Sequence, residues 1–246
     1  MSENSSFKGL SGNALKYIAA LSMLIDHAGL LLFPQLPLLR VIGRIAFPIF
    51  AFMIAEGCLH TRNRLRYFLG VALLGLVCHA VQYAFAGAPT LNVLITFSIS
   101  IVLIFVLLEL KKALVLPESR SAKPLELGLL LLLLLLLGYF FCSRFPVDYE
   151  FAGCLVPFFA ALPGLDTGEK DPAAAVRRRR LSVLCMLPPL LLVCRIYIPM
   201  QYFCLAALPL LLLYNGQRGR RSTKYFFYVF YPLHLALLQG IAWLIN

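Results

Sequence analysis

Polar positions are sparse along this chain, and the apolar runs between them are continuous rather than alternating. A run of about 20 apolar residues is long enough for a helix to cross a bilayer. Nine runs predict spans at roughly 13–33, 39–59, 65–86, 91–110, 125–142, 150–165, 180–196, 200–215 and 224–245. The sixth and eighth are short, and only "RIYIP" separates the seventh from the eighth, so eight spans is the alternative count. Only helices or closed barrels satisfy the backbone inside lipid. The period-two alternation of a barrel strand is missing. The expected fold class is therefore all-α, a polytopic transmembrane helical bundle forming a single domain over residues 1–246.

The basic residues turn this count into a topology. One set of connections holds Lys8 and Lys16, then Arg62, Arg64 and Arg66, then four cations in 111–123, five in 166–180 and four in 217–224. The intervening connections hold only Arg40, Arg44, Arg144 and Arg195. By the positive-inside rule the N-terminus is cytoplasmic and, with nine spans, the C-terminus is outside. The stretch "TGEKDPAAAVRRRR" (167–180) is expected to be a flexible basic cytoplasmic loop that anchors topology. The Leu run at 127–138 reads as lipid-facing filler. Composition agrees: 61% of residues are hydrophobic and 13% charged, half the charged share of an average soluble domain. In a soluble protein the net charge of +11 would suggest nucleic acid; here the cations belong to loops, and no nucleic-acid partner is expected. No small-residue cleavage site follows the first run, so it is expected to be retained as a helix. The seven cysteines lie in or beside apolar segments without a C-x-x-C pair, which points to buried, unpaired thiols and no metal.

Ionisable residues inside spans are costly and face a bundle interior or a cavity, so they mark function. The first span carries Lys16, Asp26 and His27. Lys16 and His27 are eleven residues apart, which places them on one helix face about 16 Å apart. The second span carries Arg40 and Arg44 at one end and Glu56 and His60 at the other, each pair at i, i+4. Pro48 is expected to kink the helix between them. Folding the two spans as an antiparallel hairpin about "PQLP" brings residues whose numbers sum to about 71 to equal depth. Two polar layers result: Asp26, His27 and Arg44 at the outer level, and Lys16, Glu56 and His60 at the inner level. Ion pairing between helices would explain Asp26 with Arg44 and Lys16 with Glu56, but it leaves His27 without a reason. Asn92 and Thr96 in span four, Asp148 before span six, and Tyr231 and His234 in span nine are further pocket candidates, each equally readable as a helix–helix hydrogen-bonding contact. His79 reads as a packed histidine.

The stretches "LKYIAALSMLIDHAGLLLFP", "LRVIGRIAFPIFAFMIAEGCLHTRNRLRYF", "LNVLITF", "DYEFAG", "ALPLLLLYNGQRG" and "KYFFYVFYPLHLALL", in this order, resemble the TraX family of integral-membrane acetyltransferases, named for a protein that acetylates the N-terminus of conjugative pilin. They span nearly the whole chain. More distantly, Lys16-x10-His27 is similar to the R/K-x10-H motif of acyltransferase-3 proteins, and "FYPLHLALL" to their late Tyr-x-x-His helix. The R-x-x-R pair of that family corresponds here to Arg40 and Arg44, spaced R-x3-R.

The resemblance implies a plasma-membrane acyltransferase that uses acetyl-CoA and acts on an amine or hydroxyl of a pilin-like peptide or a surface glycan. In the acyltransferase-3 family the motif's histidine is the proposed catalytic residue, which points to His27, with Lys16 as the motif's basic partner. The matching mechanism has His27 as general base or transient acetyl carrier, Asp26 or another nearby carboxylate holding its tautomer, and Arg44 stabilising the oxyanion. Lys16, Glu56, His60, Arg62 and Arg64 would then hold the nucleotide end of the donor. The rival reading is a transporter or flippase with an intramembrane Asp, His and Arg relay.

Overall fold

Uninterrupted apolar runs can satisfy their backbone only within the segment itself, and the described residues are mostly helical. The computed structural model describes residues 9–87, 90–115, 123–164, 171–197, 199–219 and 224–245. Among these the elements are α1 (Gly12–Leu31), α2 (Pro37–Gly43), α3 (Ala46–His60), α4 (Arg64–Ala86), α5 (Val93–Val115), α6 (Pro124–Arg144), α7 (Glu150–Ala161), α8 (Pro172–Cys185), α9 (Leu187–Ile196), a 3-10 segment (Pro199–Ala206), α10 (Ala207–Leu212) and α11 (Lys224–Ile245). Among the described residues six helices are long and apolar enough to cross a membrane: α1, α2 with α3 as one unit, α4, α5, α6 and α11. Shorter apolar helices occupy 150–161 and 199–212.

Helix α5 is central, packing on α3, α4, α6 and α7, while α1 packs on α2, α3 and α11. Helix α11 closes the bundle against α1 and α4. The Leu-rich α6 packs only on α5 and α7 among its substantial partners. Its residues Leu129, Leu132, Leu133, Leu136 and Leu137 face outward, as an apolar helix bordering lipid requires.

The second span breaks at Arg44–Ile45, and the cause lies in sequence at Pro48. Proline has no N–H to return to the carbonyl four residues earlier, which is that of Arg44. The break turns the ends of α2 and α3 separately, and both arginines point back across α1. The approach of α2 to α1 is close because of two glycines. A Cβ on Gly29 would lie 2.7 Å from that of Leu39, and a Cβ on Gly43 would overlap the side chain of Asp26.

Two short backbone ties fix the ends of the bundle. At one end Leu10 N–H donates to the Leu213 carbonyl, and Gly12 and Asn13 N–H groups donate to Gln217 and Arg218 carbonyls. These satisfy donors that the first turn of α1 leaves open, and they bring Arg218 beside Asn13. At the opposite end Leu91 donates to Pro146, and Asp148 N–H donates to Leu91. Asp148 is thereby pinned at the start of α5.

The basic stretch expected as a loop over 167–180 is helical from Pro172 onward; residues 165–170 lie outside the described residues. Asp171 caps the helix by accepting from Ala173 and Ala174 N–H groups, Pro172 occupies its first turn, and three alanines follow. These local signals outweigh the charge run.

Gly43→Ala is expected to lower stability by about 1–3 kcal/mol through overpacking against Asp26. Thermal unfolding in detergent measures this, and an unchanged midpoint would contradict the close packing of α1 on α2.

Candidate functional site

Two cavities enter the bundle from opposite ends. The first opens at the end that holds the start of α1, the end of α3 and the 215–218 loop. It encloses about 510 Å³. Its mouth carries Lys16, Glu56, His60, Arg66 and Arg218, and its interior is apolar, with Met23, Met53, Val71, Leu74 and Phe97. Glu56 lies 3.6 Å from His60 across one helical turn. Lys16 faces the same cavity and has no ion-pair partner among the described residues. The pairing of Lys16 with Glu56 expected from equal depth therefore places both on one cavity without joining them.

The second cavity opens at the opposite end and encloses about 310 Å³. Asp26, His27, Arg40, Arg44, Asp148 and Tyr149 line it, with Gln82, Tyr197, Gln201 and Gln239. Asp26 is shared by two guanidiniums: Arg40 Nη1 donates to its Oδ2 at 2.6 Å, and Arg44 Nη2 donates to its Oδ1. Arg44 also donates to Gln201 Oε1 at 3.1 Å and to the Arg40 carbonyl at 3.1 Å. Both oxygens of Asp26 are therefore engaged by arginine, and none is turned to His27.

His27 is held from another helix. Its Nδ1 lies 2.9 Å from Nε2 of His234 on α11. The rings are near-parallel, at 17°, with centroids 5.1 Å apart, which with that short N···N distance is an edge-to-edge contact. His234 Nδ1 in turn lies 2.9 Å from the Phe230 carbonyl. Its ring is sandwiched by aromatic contacts, stacking on Phe230 and meeting Tyr231 edge-on.

The histidine pair stands between the cavities. Met23 and Tyr231 line the first, while His27 and Leu235 line the second. On each helix these residues are one turn apart, so about 6 Å of structure separates the two linings at this level.

The remaining candidates divide. Arg64 turns away from both cavities, donating to Glu109 at 2.6 Å and lying over the Phe105 ring. Arg62 is exposed and lines neither. Asn92 Nδ2 donates to the Gly75 carbonyl at 2.8 Å, and Thr96 Oγ1 donates to the Asp148 carbonyl at 2.7 Å. Both join helices rather than line a cavity. His79 likewise lies outside both.

Three glutamines of the second cavity lie outside the polar positions singled out in the sequence. Gln82 Oε1, Gln201 Nε2 and Gln239 Oε1 are buried with no partner among the described residues. A glutamine inside an apolar run, as in "LALLQG", is the signal that marks them. Tyr149 and Glu150 hold φ of 63° and 51°, a left-handed backbone that side chains other than glycine adopt at a cost of about 1–3 kcal/mol. Stacking of Tyr149 on Phe47, with centroids 3.9 Å apart, holds that turn against the cavity.

Burial pushes the Asp148 carboxyl up to about 6, against the opposing pull of the Val93 N–H and Arg44. A carboxyl raised above its ordinary 3.8 favours folding below that value and loses the contribution as pH climbs through about 6. Asp148→Asn is therefore expected to raise the thermal midpoint at neutral pH and leave it unchanged in acid. Melting curves in detergent at the two pH values read this directly.

A sequence-family profile described as TraX protein matches residues 11–242. The chain is 26% identical to the probable fimbrial assembly protein FimC, serogroup H1, of Dichelobacter nodosus, over 97% of both chains. A stretch of 38 residues is 55% identical to the uncharacterized protein RP591 of Rickettsia prowazekii (strain Madrid E), covering 15% of each chain. No solved structure matches. The profile runs from the cap of α1 almost to the end of α11 and takes in both cavities and the histidine pair; the chain belongs to the TraX family.

Proposed function

We propose that this protein is a membrane-embedded acetyltransferase that passes an acetyl group from cytosolic acetyl-CoA to an amine or hydroxyl of an acceptor on the other side. The observation that carries the reading is the placement of His27 at the level where two cavities from opposite ends approach each other. In this reading the chain crosses the plasma membrane nine times, with α7, α8 with α9, and the 3-10 segment with α10 as the shorter crossings. The N-terminus is cytoplasmic and the C-terminus outside.

The first cavity suits the donor. Lys16, Arg66 and Arg218 offer cationic groups, and His60 a ring N–H, for phosphates at its mouth. The apolar walls beyond them suit a pantetheine arm, which would bring the thioester toward Met23 and the histidine pair. The second cavity suits the acceptor, whose polar groups would meet Gln82, Gln201 and Gln239. A fimbrial name for one relative favours a pilin-like peptide amine, with a surface glycan hydroxyl as the other candidate.

The chemistry balances with one base. His27 takes the proton from the acceptor N–H or O–H as that atom attacks the thioester carbonyl. The tetrahedral oxyanion is stabilised by Arg44. Collapse breaks the C–S bond, and the proton held by His27 passes to the departing sulfur, giving the acetylated acceptor and the free thiol of CoA.

His27→Ala is expected to reduce transfer about 10²–10⁴-fold, the usual contribution of a general base, while leaving acetyl-CoA binding intact. Purified protein in nanodiscs tests this by calorimetric titration and by radiolabelled transfer. A wild-type protein that ignores acetyl-CoA would support the transporter instead. Lys16→Ala is expected to weaken acetyl-CoA binding about 10-fold, the loss of one charge-assisted hydrogen bond, with little change in kcat. An unchanged Kd would remove Lys16 from the donor site.

A further inference from the structure

We infer that His234 is a positioning residue that fixes the tautomer of His27 and leaves its Nε2 bare toward the second cavity. This rests on the acetyl-transfer reading of the same site and names the group that makes His27 a base.

The proton positions are set along one chain of contacts. The Phe230 carbonyl can only accept, so the His234 nitrogen 2.9 Å away, Nδ1, must carry the hydrogen. A neutral His234 then has a lone pair at Nε2. His27 Nδ1 lies 2.9 Å from that lone pair, so Nδ1 is the protonated nitrogen of His27. The near-parallel rings place this N–H in the plane of the lone pair it meets. His27 Nε2 is left unprotonated, and it has no hydrogen-bond partner among the described residues. The opposite arrangement would set two lone pairs against each other at Phe230. A doubly protonated His234 would turn a second N–H against His27 and bury a cation among aromatic rings.

Serine hydrolases give this orienting task to a carboxylate. Here the carboxylate beside His27 in sequence, Asp26, is already taken by Arg40 and Arg44. A second imidazole does the work with a consequence for proton handling. When His27 Nε2 accepts a proton from the acceptor, its Nδ1–H already points at a basic nitrogen. The positive charge is thus shared along the pair until the proton returns to the leaving sulfur. The charged and titratable groups around the pair are Asp26 on α1, Arg40 and Arg44 at the α2–α3 break, Asp148 and Tyr149 ahead of α7, Tyr197 after α9, and Tyr231 on α11.

The test reads the tautomer and the rate separately. Full-length protein labelled with 15N-histidine in bilayers is observed by solid-state NMR, with His27→Ala assigning the His27 signals. The wild type is expected to show His27 protonated at Nδ1 and bare at Nε2; the reverse tautomer overturns the proposal whatever the activity. Two variants divide the roles. His234→Gln offers an amide oxygen near the position of Nε2 and is expected to keep the Nδ1–H tautomer and transfer within a few-fold of wild type. His234→Leu removes the acceptor; it is expected to mix the tautomers and lower kcat about 10–100-fold, with KM for acetyl-CoA unchanged. The acidic limb of its kcat/KM profile should also move. Equal loss in both variants with the His27 tautomer undisturbed would overturn the proposal. A wild type with the expected tautomer but no acetyl transfer would count against the enzyme reading alone.

Discussion

A carboxylate inside an apolar helix must be paired, and the pairing of Asp26 organises this protein. One aspartate on α1 receives Arg40 and Arg44 from the far side of the break in the second span. That arrangement needs α2 to lie close against α1, which Gly29 and Gly43 allow. It also needs the backbone to turn at Arg44, which Pro48 causes. With the carboxylate so occupied, His27 on the next position of α1 is directed elsewhere. It meets α11, the last helix, and thereby joins the two ends of the chain across the bundle.

The polar groups of the two cavities divide by task. The first is cationic at its mouth and apolar within; the second is dense in hydrogen-bonding side chains, three of them unsatisfied. Buried amides without partners are expensive and are uncommon unless a ligand or water completes them. Between the cavities stand a ring pair and its aromatic packing.

The sequence exposed the helices and much of the polar layering, for different reasons. Apolar runs mark helices because lipid leaves the backbone no alternative, and every predicted span overlaps a helix. Depth arithmetic on the first hairpin put Asp26, His27 and Arg44 on one level and Lys16, Glu56 and His60 on another, and these groups line opposite cavities. Finer partnerships were hidden. Equal depth cannot say that Asp26 faces two arginines and not His27, since neighbours on a helix diverge by about 100°. His234 is 207 residues from His27, and no local pattern announces which helix closes against α1. The helix at 172–185 was obscured by its charge run, although the Asp-Pro-Ala-Ala start carries the capping chemistry.

Sidedness is the central claim, and a sealed-vesicle experiment addresses it most directly. The protein is reconstituted in one orientation, acetyl-labelled acetyl-CoA is supplied only at the face bearing the N-terminus, and an amine-bearing acceptor peptide is supplied only at the other. The account predicts labelled acceptor on the far side, with all released CoA thiol remaining on the near side. Transfer that occurs only when donor and acceptor share a face would contradict it.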